Sequence, residues 1–268
     1  MSILDDILAT KRDEVTVLRR PQTRDLLRAR ALDAPPTRDL HAALRRPDGR
    51  LAVIAECKRR SPSKGELAPD LDPAATARAY AAGGAAAMSV LTDGVYFGGT
   101  VADLQAAREA VDIPILRKDF TIDEVQVHEA RAIGADAILL ILAALPDDSH
   151  LLDLHDLARA LGLGVLVEAH DADEVARGIS LGLEVLGVNA RDLATFGEDL
   201  DGAASTGAAI PASTIAVAES AIRGVGDAAR MAAVGFDAVL VGEALVRSPD
   251  PTALVAAMSE VIVRSRGD

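Results

Sequence analysis

Short apolar segments recur at nearly regular intervals along the chain from residue 51 onwards. There are eight of them, at 51–55, 86–91, 113–116, 137–142, 164–167, 185–188, 214–218 and 238–241. Short apolar runs bounded by polar and turn-forming residues are typical of buried strands. The pattern therefore predicts eight strands.

The intervals between these segments have a different period and are rich in alanine and leucine. Helical spacing is clearest at 74–82, 101–110, 123–133 and 149–161. Strands that alternate with helices in this way predict a parallel sheet, since each crossover returns the chain to the same edge.

An internal repeat favours a closed sheet. Glycines 84, 134, 182 and 235 each begin a similar segment that runs directly into a strand, and they lie about 50 residues apart. That period corresponds to two βα units, so four repeats give eight strands, the number that closes a barrel. The alternative is an open doubly wound sheet, but no GxGxxG turn follows the first strand. We predict an α/β fold, a (β/α)8 TIM barrel with an N-terminal helical extension.

The first 50 residues lack the strand pattern. Residues 2–18 have apolar positions at helical spacing, with Ser2 as the predicted N-cap, and a second helical segment follows at 24–32. We therefore expect a helical extension over residues 1–50 and the barrel over 51–268, together forming one domain.

The charge of the chain restricts its partners. It has 41 acidic and 28 basic residues and a net charge of −13, which argues against nucleic acids and anionic membrane surfaces. Its single cysteine excludes an intramolecular disulfide, and we find neither a signal sequence nor an apolar run of about 18 residues. We expect a cytoplasmic protein that binds any anionic ligand at a local positive site.

Polar residues cluster where the predicted strands end. They are Glu56, Lys58, Lys118, Glu168, Asn189, Arg191, Glu219 and Ser220. In (β/α)8 barrels the carboxyl ends of the strands carry the functional residues, so this set predicts a site at one mouth. The alternative is a structural ion-pair network.

Because side chains alternate along a strand, Glu56 and Lys58 share one face of the first strand. Cys57 then points to the helices, as an inert core thiol.

Two other features bear on ligands. No pair among the five histidines has metal-ligand spacing. His170, just past Glu168, is either near the site or, as we expect, a loop residue with no role. The segments after the seventh and eighth strands, 218–224 and 241–244, have the position of a barrel phosphate site, where backbone N–H groups bind the anion.

Four motifs carry a family resemblance that covers nearly the full chain. They are Ile54-Ala-Glu-Cys-Lys with Ser61-Pro-Ser-Lys-Gly65, Leu116-Arg-Lys-Asp-Phe120, Val188-Asn-Ala-Arg-Asp-Leu193 and Ala218-Glu-Ser220. In this order they resemble the indole-3-glycerol phosphate synthases of tryptophan biosynthesis. The resemblance implies a carboxy-lyase that converts 1-(2-carboxyphenylamino)-1-deoxyribulose 5-phosphate to indole-3-glycerol phosphate, with loss of carbon dioxide and water. It implies no cofactor and no metal. We expect a monomer, and association with other enzymes of the pathway stays open.

The resemblance also implies roles for individual residues. Lys118 matches the general acid of ring closure, and we expect nearby cations and desolvation to lower its pKa toward neutrality. Glu168 matches a base or amine-orienting group, and Lys58 pairs with an anionic group of the substrate. The other matched residues are Glu56, Asn189 and Glu219 in the catalytic set, Ser61, Phe120, Arg191 and Leu193 around the substrate, and Lys58, Ser220, Ala221, Gly242 and Glu243 at the phosphate.

Two residues depart from the family pattern, and other functions stay open. Ala221 stands where glycine is usual, and it would be strained if that backbone needs a positive φ. Glu243 stands where serine is common, beside the expected phosphate.

Three alternative functions stay open. They are a sugar-phosphate isomerase, which would need a Cys and Asp pair at strand ends, a Schiff-base aldolase, and an inactive barrel kept as a binding partner.

Overall fold

The computed structural model describes residues 3–191 and 197–266. Eight parallel strands form one closed barrel, in which β1 pairs with both β2 and β8. The strands are β1 Ala52–Cys57, β2 Ala87–Leu91, β3 Ile115–Lys118, β4 Ala137–Ile141, β5 Gly164–Ala169, β6 Val185–Asn189, β7 Ile215–Glu219 and β8 Ala238–Val241. The predicted barrel is confirmed, and the open doubly wound alternative is wrong.

Helices precede the barrel and surround it. The N-terminal ones are α1 Ile3–Leu18, α2 Pro21–Asp33 and α3 Leu40–Leu44. The others are α4 Pro73–Ala82, α5 Val101–Ala110, α6 Glu124–Ala132, α7 Asp148–Ala160, α8 Ala172–Ser180, α9 Leu200–Gly207, α10 Val225–Ala233, α11 Glu243–Val246 and α12 Pro251–Ser259. A 3-10 helix at Leu142–Ala144 follows β4, and a small antiparallel hairpin joins Arg60–Ser61 to Gly65–Glu66 after β1. None of the helices in the described ranges is long and apolar enough to cross a membrane.

The repeated glycines end helices, as their spacing predicts. Gly84, Gly134, Gly182 and Gly235 all have positive φ, between 71° and 97°. Each follows the last turn of a helix and turns the chain into the next strand. A residue with a Cβ is strained in this left-handed conformation, so glycine stops the helix at low cost.

Strand parity separates two apolar layers. In β1, Ile54 packs in the barrel lumen, whereas Val53, Ala55 and Cys57 pack against the outer helices. Cys57 is buried there, and burial is the main cause that raises the pKa of its thiol to about 12. The predicted outward direction of Cys57 is confirmed.

The same parity divides three consecutive charges at the end of β3. Lys118 points into the mouth of the barrel, where it contacts Glu168 of β5. Arg117 and Asp119 take the other side, and the Arg117 guanidinium pairs with Glu129 of α6 at 2.7 Å and with Asp119 at 3.4 Å. Adjacent residues of one strand therefore serve two different ion clusters.

The N-terminal helix α1 lies against the same mouth. Its Ile7 is buried against the luminal residues, and Lys11 is only 1% exposed. The Lys11 ammonium lies 2.9 Å from Glu14, 2.8 Å from Asp93 and 2.9 Å from Asp119. Because Asp93 and Asp119 follow β2 and β3, this buried ion cluster fastens the helical extension to the rim of the barrel.

Candidate active site

A cavity of about 330 Å³ opens at the carboxyl ends of the strands. Twelve of the residues predicted for the site line it: Glu56, Lys58, Lys118, Phe120, Glu168, Asn189, Arg191, Glu219, Ser220, Ala221, Gly242 and Glu243. Strand ends that are distant in sequence thus meet around one volume, because all eight strands run in the same direction.

Lys118 and Glu168 form the central ion pair of the cavity. The Lys118 Nζ atom lies 2.8 Å from Oε2 of Glu168 and 3.4 Å from Oε2 of Glu219. The side-chain amide of Asn189 donates to the other oxygen of Glu168 at 3.0 Å. Glu168 is therefore held by β3 and β6 while it projects from β5.

The pKa of Lys118 is shifted in the opposite direction to our expectation. Burial alone lowers it, but the attraction of Glu168, Glu219 and Glu56 outweighs burial and raises the pKa above its usual range. The expected lowering by nearby cations is wrong, because carboxylates surround this ammonium more closely than cations do. Burial raises the pKa of Glu168, but Lys118 and then His170 outweigh burial and hold it well below its usual range.

Glu219 is the neutral member of this group at mid-range pH. Burial raises the pKa of Glu219 to about 8, with contributions from Glu168 and Glu56 that oppose the attraction of Lys118. Its Oε1 atom is buried without a hydrogen-bond partner among the described residues. That oxygen lies directly over Gly187 of β6, where an added Cβ would overlap it. A side chain at position 187 would therefore displace Glu219.

Glu56 and Lys58 form a second pair on β1. Their side chains are 2.7 Å apart, and the Ser89 hydroxyl donates to the other oxygen of Glu56 at 3.3 Å. Burial raises the pKa of Glu56, but Lys58 and Lys118 outweigh it and lower the pKa. A Cβ on Gly242 would lie 2.6 Å from Oε1 of Glu56 and 3.1 Å from Lys58 Nζ, so the absence of a side chain at 242 makes room for the pair.

Arg191 is anchored by a carboxylate that the sequence analysis did not include. Glu198 pairs with Arg191 at 2.7 Å and with Arg223 at 2.9 Å, and Lys64 lies 3.8 Å away. All four side chains line the cavity. The strand-end rule missed Glu198 because it follows the sixth strand by nine residues and returns to the mouth only through the fold.

His170 is a loop residue, as expected, and its side chain contacts Glu168 without lining the cavity. Its Nε2 atom is 3.2 Å from Oε1 of Glu168, and its Nδ1 atom is 3.3 Å from Glu174. Burial lowers the pKa of His170, but the two carboxylates outweigh burial and raise it to about 10. The signal available in the sequence was the i,i+4 spacing of His170 and Glu174 at the start of a helix.

The predicted phosphate region has an unusual backbone. Ser220 and Ala221 have φ values of 64° and 57°. The positive φ that we considered for position 221 is thus present, and alanine is strained there. Glu243 begins α11, and its carboxylate lies 3.2 Å from the Arg247 guanidinium, which compensates part of its charge.

Apolar side chains also line the cavity. Phe120 and Phe97 stack with their ring centroids 6.2 Å apart. Ile3 and Ile7 of α1 contribute to the same lining, although the sequence analysis assigned the extension no part in the site. The lining of the cavity therefore combines charged and apolar side chains.

One predicted substrate contact, Ser61, is not among the residues that line the cavity. Ser61 is buried and its hydroxyl accepts the N–H of Lys64 at 3.2 Å, while Pro62, Ser63 and Lys64 supply the lining. Leu193 lies outside the described residues. Within the described ranges, no three His, Cys, Asp or Glu side chains are grouped to hold a metal ion.

Comparison with known proteins identifies the family. A model of the indole-3-glycerol phosphate synthase family matches residues 4–258. The chain belongs to the indole-3-glycerol phosphate synthase family. The synthase of a Nocardioides species is 51% identical over 97% of this chain and 99% of its own length. That of Mycobacterium ulcerans is 49% identical over 95% of this chain and 93% of its own length.

More distant solved structures share the barrel. A 3-hexulose-6-phosphate synthase has a TM-score of 0.61 at 20% identity, covering 80% of this chain and 100% of its own. Thiamine phosphate pyrophosphorylase from Pyrococcus furiosus has a TM-score of 0.59 at 16% identity, covering 83% and 97%. At these identities the similarity concerns the fold alone. The resemblance to the indole-3-glycerol phosphate synthases is confirmed, and with it the expectation of a lyase of tryptophan biosynthesis.

Proposed function

We propose that the cavity is where the chain carries out the reaction of its family, the conversion of 1-(2-carboxyphenylamino)-1-deoxyribulose 5-phosphate to indole-3-glycerol phosphate, carbon dioxide and water. One observation carries the assignment of residues. The Lys118 ammonium contacts Glu168 and Glu219 in a cavity whose lining also includes aromatic and aliphatic side chains. This mixed lining suits a substrate with an aromatic ring at one end and a polyhydroxy phosphate at the other.

Lys118 is the acid of ring closure in this proposal. The ring carbon that bears the carboxylate attacks the ketose carbonyl carbon, and the carbonyl oxygen takes the proton of Lys118 as its charge develops. The raised pKa of Lys118 keeps the proton in place before the substrate binds. An alkoxide is a stronger base than an amine, so the transfer remains favourable once the carbon–carbon bond forms.

Lys58 and Glu168 serve the later steps. Lys58 binds the substrate carboxylate until its bond to the ring breaks and carbon dioxide leaves. Lys58 then protonates the departing hydroxyl, while Glu168 accepts the proton that the neighbouring methylene carbon, the one bonded to nitrogen, loses as water forms. The low pKa of Glu168 keeps it ionised and ready to accept that proton.

The remaining residues bind the two ends of the substrate. Phe120, with Leu193, contacts the anthranilate ring, and Asn189, Arg191, Glu56 and Glu219 orient the polar groups, with Ser61 as a further contact. The phosphate binds near Lys58, at the turn of Ser220 and Ala221 and at the start of α11, where Gly242 and Glu243 lie. Helix starts leave backbone N–H groups without partners in the helix, and these groups favour an anion. The pair between Glu243 and Arg247 reduces repulsion between its carboxylate and the phosphate.

Two alternatives lose support from the geometry. An isomerase that uses a strand-end cysteine does not fit, because Cys57 packs among the outer helices. A Schiff-base aldolase needs a neutral amine, whereas Lys118 is an ammonium paired with Glu168. Borohydride trapping with a ketose phosphate tests this point, and we expect no covalent label on Lys118 or Lys58.

We also propose that the chain acts as a monomer in the cytoplasm, without a required pathway partner. All groups assigned above come from one chain, and its one cysteine is buried as a free thiol. Sedimentation at assay concentration, with turnover measured on the same sample, tests the monomer. A rate that rises with protein concentration faster than linearly would contradict it.

The decisive experiment supplies the substrate and follows the appearance of indole fluorescence. We expect turnover by the chain as given and a loss on the order of 10²–10⁴ in kcat for Lys118→Ala. Lys118→Arg retains the charge but donates a proton poorly, since guanidinium groups stay protonated. Equal rates for the chain and for Lys118→Ala would remove Lys118 from the mechanism, and a fully active Lys118→Arg would reduce its role to charge alone.

A further inference from the structure

His170 is the first residue after β5, and its side chain turns back toward the mouth of the barrel. Its ring is 13% exposed, and Nε2 lies 3.2 Å from Oε1 of Glu168. The direction of Nε2 is not aligned for a hydrogen bond, so the contact is that of an ion pair. The imidazole thus meets the same carboxylate oxygen that receives the amide of Asn189.

Glu174 fixes the imidazole from the other side. Its Oε2 atom lies 3.3 Å from Nδ1 of His170 and accepts the backbone N–H of the same residue at 2.7 Å. Glu174 stands in the first turn of α8, and its own N–H donates to the N-cap residue Asp171 at 2.8 Å. The start of the helix therefore sets the position of the ring.

Two carboxylates on opposite sides of one ring favour its charged form. An imidazolium has an N–H on each nitrogen, so it directs one N–H at Glu174 and at the same time places its positive charge 3.2 Å from Glu168, whereas a neutral ring has no charge to pair with Glu168. The other charges around Glu168 come from Lys118 of β3, Glu219 of β7 and Glu56 of β1. Lys58 pairs with Glu56 at 2.7 Å, so without His170 the only cation left beside Glu168 among the described residues is Lys118, which also contacts Glu219.

We propose that His170 is a positioning residue, whose imidazolium, held by Glu174, keeps Glu168 ionised and fixed in the orientation in which it acts as the base. The inference rests on the proposed function, because the role of base for Glu168 comes from there. His170 itself does not line the cavity, so it acts through Glu168 rather than on the substrate.

The charge of the ring is measurable without turnover. In protein labelled with ¹⁵N-histidine, we expect the spectrum to show one histidine with both nitrogens protonated at pH 8.5, and this signal to be missing in His170→Gln. In Glu174→Gln the same ring should titrate at lower pH, because one of its two carboxylates is neutral. If no histidine is doubly protonated at pH 8.5, the proposal is wrong.

The effect on Glu168 is measured in the pH profile of kcat. Loss of a neighbouring cation raises the pKa of a carboxyl by about one unit or more. In the pH profile of His170→Gln, the acidic limb should move to higher pH by about that amount. On this limb the rate should be about tenfold below that of the parent, and at high pH it should return toward the parent rate. Because Glu168 and Glu219 titrate as a coupled pair, the apparent pKa of this limb describes the pair and not Glu168 alone. A lowered rate with an unmoved limb would show a structural role only and overturn the proposal.

Two variants make the result independent of folding defects. His155→Gln is the matched control, since His155 of α7 pairs with neighbouring Asp156 at 3.2 Å, away from the cavity, and should leave the profile unchanged. If His170→Gln does not fold, Glu174→Gln decides, because it keeps the imidazole. We expect a smaller shift of the limb in the same direction, and no shift would overturn the proposal.

Failure of this inference is distinguishable from failure of the proposed function. If the parent chain shows no turnover, the proposed function is wrong, and the labelled spectrum still reports the charge of His170. If the parent turns over, Glu168→Gln is inactive and His170→Gln has an unmoved limb, the function stands and the inference alone is wrong.

Discussion

Two lysines, Lys11 buried and Lys118 half-buried, lie at the same rim of the barrel in similar surroundings. Lys11 of α1 contacts three carboxylates, those of Glu14, Asp93 and Asp119. Lys118 of β3 contacts Glu168 and Glu219. For both, burial lowers the pKa and the carboxylates outweigh it, so both ammonium groups have a raised pKa.

The clusters differ in how their carboxylates are held. Around Lys11, Oδ1 of Asp93 accepts the backbone N–H groups of Tyr96 and Phe97, its Oδ2 lies 2.8 Å from the ammonium, and Asp119 accepts the hydroxyl of Thr92. Around Lys118, an oxygen of Glu219 has no hydrogen-bond partner among the described residues, and the group faces an open cavity. A raised pKa therefore does not distinguish the two lysines. Their position does, because Lys118 lines the open cavity and Lys11 does not.

The largest expected effect on stability comes from Lys11→Met. The change leaves Asp93 and Asp119 buried without their cation, and breaking a buried pair in this way typically costs about 3–5 kcal/mol. We expect that loss in the free energy of unfolding, measured in urea. Lys118→Met is the matched control and should lose less than half as much, because Asn189 still donates to Glu168 and the raised pKa of Glu219 lets it stay protonated without a cation. Equal losses would contradict the distinction between the clusters.

The next effect concerns the pH dependence of stability. Since the folded-state pKa of Glu219 is about 8, above its ordinary value, the stabilisation from its proton is fully present below about pH 4.5 and is lost as the pH rises through 8. Glu168 has the opposite effect. Its folded-state pKa is lowered, so the stabilisation from its charge is present above the ordinary pKa of a glutamate and is lost as the pH falls below that value toward the folded-state pKa.

Glu219→Gln should remove the first of these dependences. The difference in unfolding free energy between pH 5 and pH 8 should shrink, by at most about 1.4 kcal/mol per pH unit, the slope for one proton. Glu109→Gln, on the exposed face of α5, should not alter it. An unchanged slope for Glu219→Gln would assign the proton to another group.

A smaller effect is expected at Gly187, beneath Glu219. In Gly187→Ala the new methyl overlaps the Glu219 carboxylate, and overpacking of this kind costs about 1–3 kcal/mol. Gly226→Ala is the control, because an added Cβ there meets no atom within 4 Å and alanine favours a helix. Thermal unfolding should show a loss for the first and a neutral or stabilising change for the second. If both variants unfold alike, Glu219 is not confined by β6.

The smallest effect is expected at Ala221. Ala221→Gly removes the strain of an alanine in the left-handed conformation, which costs roughly 1–2 kcal/mol. The glycine also raises the conformational entropy of the unfolded chain, which opposes this gain. We expect a net gain of about 0.5 kcal/mol in unfolding free energy. Ala229→Gly, on the exposed side of α10, should instead lose about 1 kcal/mol. Losses in both variants would show that position 221 is not strained.

The barrel was predictable because its determinants are local in sequence. Eight short apolar runs, four helix-ending glycines and polar residues at strand ends all recur with the period of the fold. Helix α3 was missed because five residues are too few to show a helical period, and it depends on the cap that Asp39 gives to the N–H of Ala42.

The missed features depend on contacts between distant residues. Lys11 has no apolar character, so the pattern of α1 gives no reason to bury it, and its burial requires Asp93 and Asp119 from two strands. The sign of the Lys118 pKa shift depends on which charges lie nearest, and the order of residues along the chain does not give those distances. The role of His170 depends on where α8 places Glu174.

The alternation of Arg117, Lys118 and Asp119 at the end of β3 makes this strand more sensitive to insertions and deletions than to single substitutions. Losing or gaining one residue within β3 would rotate all three side chains to opposite faces and place a guanidinium or a carboxylate where Lys118 now stands. Point replacements alter one group at a time, whereas a change in length disrupts the catalytic mouth and the anchor of α1 together. We therefore expect insertions and deletions among homologues to avoid β3 and to fall in the loops beyond the rim.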